Sequence, residues 1–180
     1  MKFLDELDNL EADLKKNYQE CDTQYTALIA HLKELMEFTE FVEPIKTEIS
    51  SEILAFCGST KHPNSGKWAK SLDFVVYKIT HLERGMKSLS DKIKAQSSEN
   101  EGVLSRSKVA HVVVERIYST STEEEIESLK VLFAQQVTFW EESIKKRIGD
   151  IDTLERRLTN EISEKRGEIE ELRDWLSGKV

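Results

Sequence analysis

Apolar residues recur along this chain in steps of three and four, the spacing that lines one face of an α-helix. The first seam runs Phe3, Leu7, Leu10, Leu14, Tyr18, Cys21, Tyr25, Leu28, Leu32 and Leu35. It continues through Val42, Ile45, Ile49, Ile53 and Phe56. An extra step of four between Leu14 and Tyr18 is a stutter, which relaxes supercoiling locally. Pro44 has no backbone donor to offer, so a kink or brief break is expected near it. Gly58 ends the pattern, and GSTKHPNSGK reads as the first loop.

A second seam starts at Trp68 and runs Leu72, Val75, Ile79, Leu82, Met86, Leu89 and Ile93. It then enters KIKAQSSENEGVLSRSK (Lys92–Lys108), a stretch with the composition of a linker. Strict register carries the seam onto Gln96, Asn100, Val103, Ser107, Ala110, Val114 and Ile117. The apolar residues after the polar stretch thus return in the phase of those before it. An irregular linker has no reason to keep phase, so the pattern predicts one unbroken helix with a polar middle. Gly102 lowers helix propensity there by about 1 kcal/mol, which a long packed helix absorbs.

YSTST marks the second loop. Ser121 or Thr122 can cap a third helix, with Glu123, Glu124 and Glu125 favourably placed in its first turn. Its seam is Ile126, Leu129, Phe133, Val137, Trp140, Ile144, Ile148, Ile151, Leu154, Leu158, Ile162, Ile169, Leu172 and Leu176. The early steps repeat as three-four-four, a period that gives a straighter helix than strict heptads.

The expected fold is all-α: an elongated antiparallel three-helix bundle, or coiled coil, of long helices joined by short loops. A single elongated domain covers 1–180, with helix 1 over about 2–57 kinked near Pro44, helix 2 over about 67–117 and helix 3 over about 122–177. Folding at the two loops sets Trp140 and Tyr25 opposite Glu99 and Asn100. That polar layer either fixes helix register or leaves a hydrated mid-section. Trp68, Trp175 and Phe56 are expected to meet at one end.

Composition agrees with few turns: the chain has 7 glycines and 2 prolines. The net charge of −8 argues against nucleic acid and against an anionic membrane as targets of the overall field. Charge is uneven, however: residues 63–120 are net basic, and the stretches on either side are net acidic. A basic middle helix suits flanking contacts with two acidic ones. Alternatively Lys87, Lys92, Lys94, Arg106, Lys108 and Arg116 form a basic face for an outside partner, the one route by which a membrane enters. Asp5 and Glu6 close behind Met1 leave no signal-peptide core, and no apolar run approaches a spanning helix. Cys21 and Cys57 are too few for a disulfide framework, which suits a reducing compartment, cytoplasmic with the nucleus also open.

Catalytic patterns are not evident. The histidines at 31, 62, 81 and 111 form no metal-ligand spacing, and no phosphate-cradling glycine motif or nucleophile elbow is present. No cofactor is expected, and the chain is read as no enzyme. Glu141-Glu142 and Glu170-Glu171 read as solvated helix faces, and Cys21 as a packed seam residue. Two stretches carry more apolar residues than one seam needs. LMEFTEFVEPI offers Phe38 and Phe41 either as a wide core contact or as a dock for a partner helix. VAHVVVERIY offers Val109, Val112 and Val113 either to the core or to a homodimer contact.

In outline, three long antiparallel helices with a kink resemble BAR-type membrane-shaping modules. Spectrin-like repeats share the topology with much shorter helices. The resemblance implies a dimer with Lys and Arg on a membrane-facing surface. The reading from the residues themselves is a non-enzymatic helical scaffold or assembly subunit, joining proteins in a cytoskeletal, kinetochore or trafficking complex. The alternative is a BAR-like dimeric membrane-binding or curvature module.

Overall fold

The computed structural model describes residues 2–56, 65–118 and 133–176, and all of them are helical. Helix α1 spans Lys2–Phe56 and helix α2 spans Ser65–Tyr118. A π-helical turn, Phe133–Val137, leads into helix α3, Thr138–Leu176. Residues 65–67 of the first expected loop belong to α2 and correct its start. The rest of that loop, and the second loop past Tyr118 with the candidate caps Ser121 and Thr122, lie outside the described residues, as do His62 and Cys57.

The polar stretch does not interrupt α2. Val103 and Val114 are buried, Ser107 is fully buried, and Gln96, Asn100 and Ala110 are half-buried. These are the slots that strict register assigned, so the packing shares one phase from Trp68 to Val114. Pro44 sits at an exposed position inside α1, and the helix assignment continues past it without a break. A methyl group built on Gly102 would meet nothing within 4 Å. Gly102→Ala should therefore raise stability by about 0.5–1 kcal/mol through helix propensity alone. Urea titration of the two proteins checks this.

Contacts group the chain into two compact units, one of residues 1–27 and 90–153, the other of 28–89 and 154–180. Each takes one stretch from each of the three helices. In the first, Asp13 meets Arg106 while Cys21 meets Asn100, so α2 runs antiparallel to α1. Tyr18 packs on Trp140 and Asp22 pairs with Arg147, so α1 and α3 run parallel. Its core joins Leu7, Leu10, Leu14, Val103, Val137 and Ile144.

The second unit repeats the arrangement. Phe41 lies against Phe74, Lys46 pairs with Glu168, and Asp73 pairs with Arg173. Leu28, Ile49, Leu72, Val75, Ile79, Leu158 and Ile169 are buried there. Trp68 is only 2% exposed, and its indole N–H donates to Glu48 at 3.4 Å. Trp175 is half-buried. The side chain of Phe56, its expected neighbour, lies outside the described set.

Net charge per segment proves a poor guide to which residues pair. Asp13 with Arg106 and Glu48 with Lys67 follow the expected rule of an acidic α1 against a basic α2. Between α2 and α3 of the second unit the polarity reverses: α2 supplies the acids Glu83 and Asp73, and α3 supplies Arg166 and Arg173. An ion pair is decided by the two side chains at a flanking position, and a helix-wide average carries no such positional information.

Candidate functional site

Two features stand out from a uniform apolar seam: a polar cluster inside the first unit and apolar side chains left outside the core in both. The cluster centres on Glu141, which is 8% exposed. Ser107 Oγ donates to Glu141 Oε2 in a short hydrogen bond, and His111 Nε2 lies 3.2 Å from the same oxygen. Lys145, one turn further along α3, donates to Oε1 at 2.8 Å.

The reading of Glu141 as part of a solvated face is therefore corrected. The sequence pattern favoured Trp140 for this slot because it is apolar. In the packed helix, the heptad step from Val137 to Ile144 falls on Glu141 instead. Trp140 is turned to the flank, half-buried, with its ring 5.4 Å from Tyr18 and 5.1 Å from Phe139. The expected layer of Trp140 and Tyr25 against Glu99 and Asn100 is corrected likewise. Asn100 faces Cys21 Sγ at 3.5 Å, and Tyr25 lies under the Arg147 guanidinium at 4.5 Å. Pairing of Ser107 with Glu141, and of Glu83 with Arg166, sets α3 about two turns along α2 from where a reversal at YSTST would put it.

Chemically the cluster is closed. Ser107 donates to a carboxylate that His111 and Lys145 also bond, and the lowered proton affinity of that carboxylate makes it a poor base toward the hydroxyl. Burial pushes the Glu141 carboxyl up, but the bonds from Lys145, Ser107 and His111 outweigh it and hold the group below its ordinary value. A carboxylate depressed in the folded state stabilises above the unfolded pKa, and that contribution is lost as pH falls through the folded one. Glu141→Gln should therefore cost stability near neutrality, and its deficit against the parent should shrink below roughly pH 4. Denaturant titrations of both proteins at two pH values measure that narrowing.

Cys21 is fully buried, and Asn17, at the stutter, is buried beside it. Burial and the Glu20 charge push the Cys21 thiol up against the opposing bond to Asn100, so it stays protonated. This matches a packing role, since thiolate is the reactive form. Among the described residues, no group of three or more His, Cys, Asp or Glu is placed to hold a metal ion.

The candidate docking residues divide. Phe38 belongs to the core at 6% exposure, whereas Phe41 stays 46% exposed. Phe41 meets Phe74 of α2 edge-on at 5.8 Å, and Phe74, Tyr77 and Met36 are exposed as well. None of these last three was singled out by the sequence, because each sits off the seam. A groove of about 530 Å³ runs here between α1 and α2, with Phe38, Phe41, Phe74 and Leu82 at its floor and sides. Glu34 and Glu37 edge it on α1; Lys78 and His81 edge it on α2.

In the other unit, Val109 and Val112 are exposed and Val113 is half-buried. Val109 and Val113 border a second groove, of about 310 Å³, lined also by Leu7, Leu10 and Ala110. Of the basic candidates, Lys87, Lys92, Lys94, Lys108 and Arg116 are exposed, while Arg106 pairs with Asp13 at 2.8 Å. No described helix is long and apolar enough to cross a membrane.

Fold and faces together define an all-α three-helix protein with apolar side chains held outside its core. No family model matches the chain, and no curated protein is similar to it. Among solved structures it is similar to a computationally designed three-helix bundle at 16% identity, covering 98% of this chain and 93% of that one, with a TM-score of 0.39.

Proposed function

We propose that the chain is a non-enzymatic helical scaffold or assembly subunit. It acts in a cytoskeletal, kinetochore or trafficking complex, in the cytoplasm or nucleus, through proteins docked on its helix faces. One observation carries this reading: Val109, 64% exposed, lines a groove between α1 and α2, and Val112 stands exposed one turn further along α2, although the seam beneath them is already filled. Two valines there add nothing to the core, and contiguous exposed apolar surface is what a partner buries.

Proximity labelling in cells tests it. Parent protein should label a defined set of proteins from one such complex, and Val109→Glu with Val112→Glu should lose them while the protein stays folded. Labelling that is indiscriminate, or unchanged by the substitutions, overturns the reading.

The BAR-like alternative draws on exposed Lys87, Lys92, Lys94 and Lys108, all on α2. Co-sedimentation with anionic liposomes at low salt separates the two: binding that falls as salt rises favours the membrane, and no binding at low salt removes it.

A further inference from the structure

The groove between α1 and α2 in the second unit has two edges of opposite sign. Glu34 and Glu37 stand on the α1 side, Lys78 and His81 on the α2 side, and exposed Phe41 and Phe74 lie between. We propose that this groove is a self-association surface, and that its occupant is the same groove of a second copy of the chain. The proposal rests on the reading that the helix faces dock proteins, and it assigns one face and one partner.

Charge and level single out the arrangement. Phe41 and Phe74 touch, so they share a level along the groove. One turn back along α1 from Phe41 is Glu37. One turn forward along the antiparallel α2 from Phe74 is Lys78, so these two share the next level. Glu34 and His81 share the one after that. A two-fold axis lying in the interface and parallel to the groove keeps every level and exchanges the edges. It brings Glu37 of one copy to Lys78 of the other and Phe41 to Phe74, each contact made twice. The other in-plane two-fold, across the groove, sets acidic edge on acidic edge and is repulsive. A groove with one acidic and one basic edge is thus its own electrostatic complement, in one orientation only. The apolar floor supplies area to bury, and the exposed rings supply the aromatic anchors typical of interface centres.

Sedimentation equilibrium of the full chain, over a wide concentration range at low salt, is the first measurement. The expected result is a reversible dimer, and Phe74→Glu should weaken it roughly tenfold or more. Charge reversal then identifies the geometry. Glu37→Lys alone and Lys78→Glu alone should each lose the dimer, because each meets like charge twice. Mixed in equal amounts, the two variants should form a heterodimer. The cation introduced at position 37 of one copy then faces the anion introduced at position 78 of the other, and the unaltered Glu37 faces the unaltered Lys78.

Because both residues also border one groove within a chain, this rescue on mixing is the deciding readout: an effect confined to each chain is not repaired by adding the other variant. Circular dichroism keeps track of folding. A chain that stays monomeric throughout overturns the proposal, as does a dimer indifferent to Phe74→Glu or a mixture that stays monomeric. Any of these leaves the scaffold reading to its own test, because that test uses the Val109 and Val112 face.

Discussion

Val103→Asp should destabilise the protein by about 3–5 kcal/mol, while Ser105→Asp should change stability by no more than about 0.5 kcal/mol. Both substitutions place an acid in the same polar stretch, two residues apart. Val103 is buried with Leu14 and Ile144 in the first unit's core, and Ser105 is exposed. A carboxylate at 103 would have to lose most of its water among apolar neighbours. At 105 it would remain solvated. Guanidinium titrations of the two variants measure the contrast. Similar small effects at both positions would mean that α2 does not pack in one phase through this region.

Trp68→Ala is expected to cost about 3–5 kcal/mol, at the upper end for truncation of a single side chain. The indole is 2% exposed, so removal leaves a large cavity, while Glu48, which it donates to, stays solvated and near Lys67. Phe74→Ala, on the same helix and of comparable chemistry, should cost well under half of that, because its ring is 48% exposed. Thermal and denaturant unfolding followed by circular dichroism, rather than by tryptophan fluorescence, gives both values. Equal costs would show that the ring of Phe74 is held as firmly as the indole.

How much of this was legible in the sequence differs between the core and the exceptions to it. Apolar seams at steps of three and four located all three helices, and α2 was traceable through SSENEG because Val103 and Val114 return in phase. What periodicity could not supply was the identity of a polar residue at a seam slot. Trp140 fits the apolar spacing and Glu141 does not, yet Glu141 holds the slot. Glu141 becomes tolerable inside only because Ser107, His111 and Lys145 converge on it from two helices. That is a tertiary fact, and no spacing along the chain encodes it.

The same limit explains Asn17, which enters the core at the stutter where Tyr18 was expected to hold the seam alone. The docking faces were half legible. LMEFTEFVEPI advertised Phe38 and Phe41 together, but a helix turns about 100° per residue, and the step of three positions between them separates a core ring from an exposed one. Their counterparts on α2, Phe74 and Tyr77, lie where only the pairing of α1 with α2 reveals a shared surface. Interhelix salt bridges were the least legible of all, since long charged side chains reach different neighbours with small changes of register.

Cys21 has a practical consequence. Its thiol sits at zero exposure in the first unit, and no other described residue is a cysteine. With Cys57 replaced by serine, modification by a thiol reagent can proceed only when the surrounding helices part. The labelling rate then clocks that opening directly, and comparing it with the rate of global unfolding tells whether the two halves of these helices breathe together or one at a time.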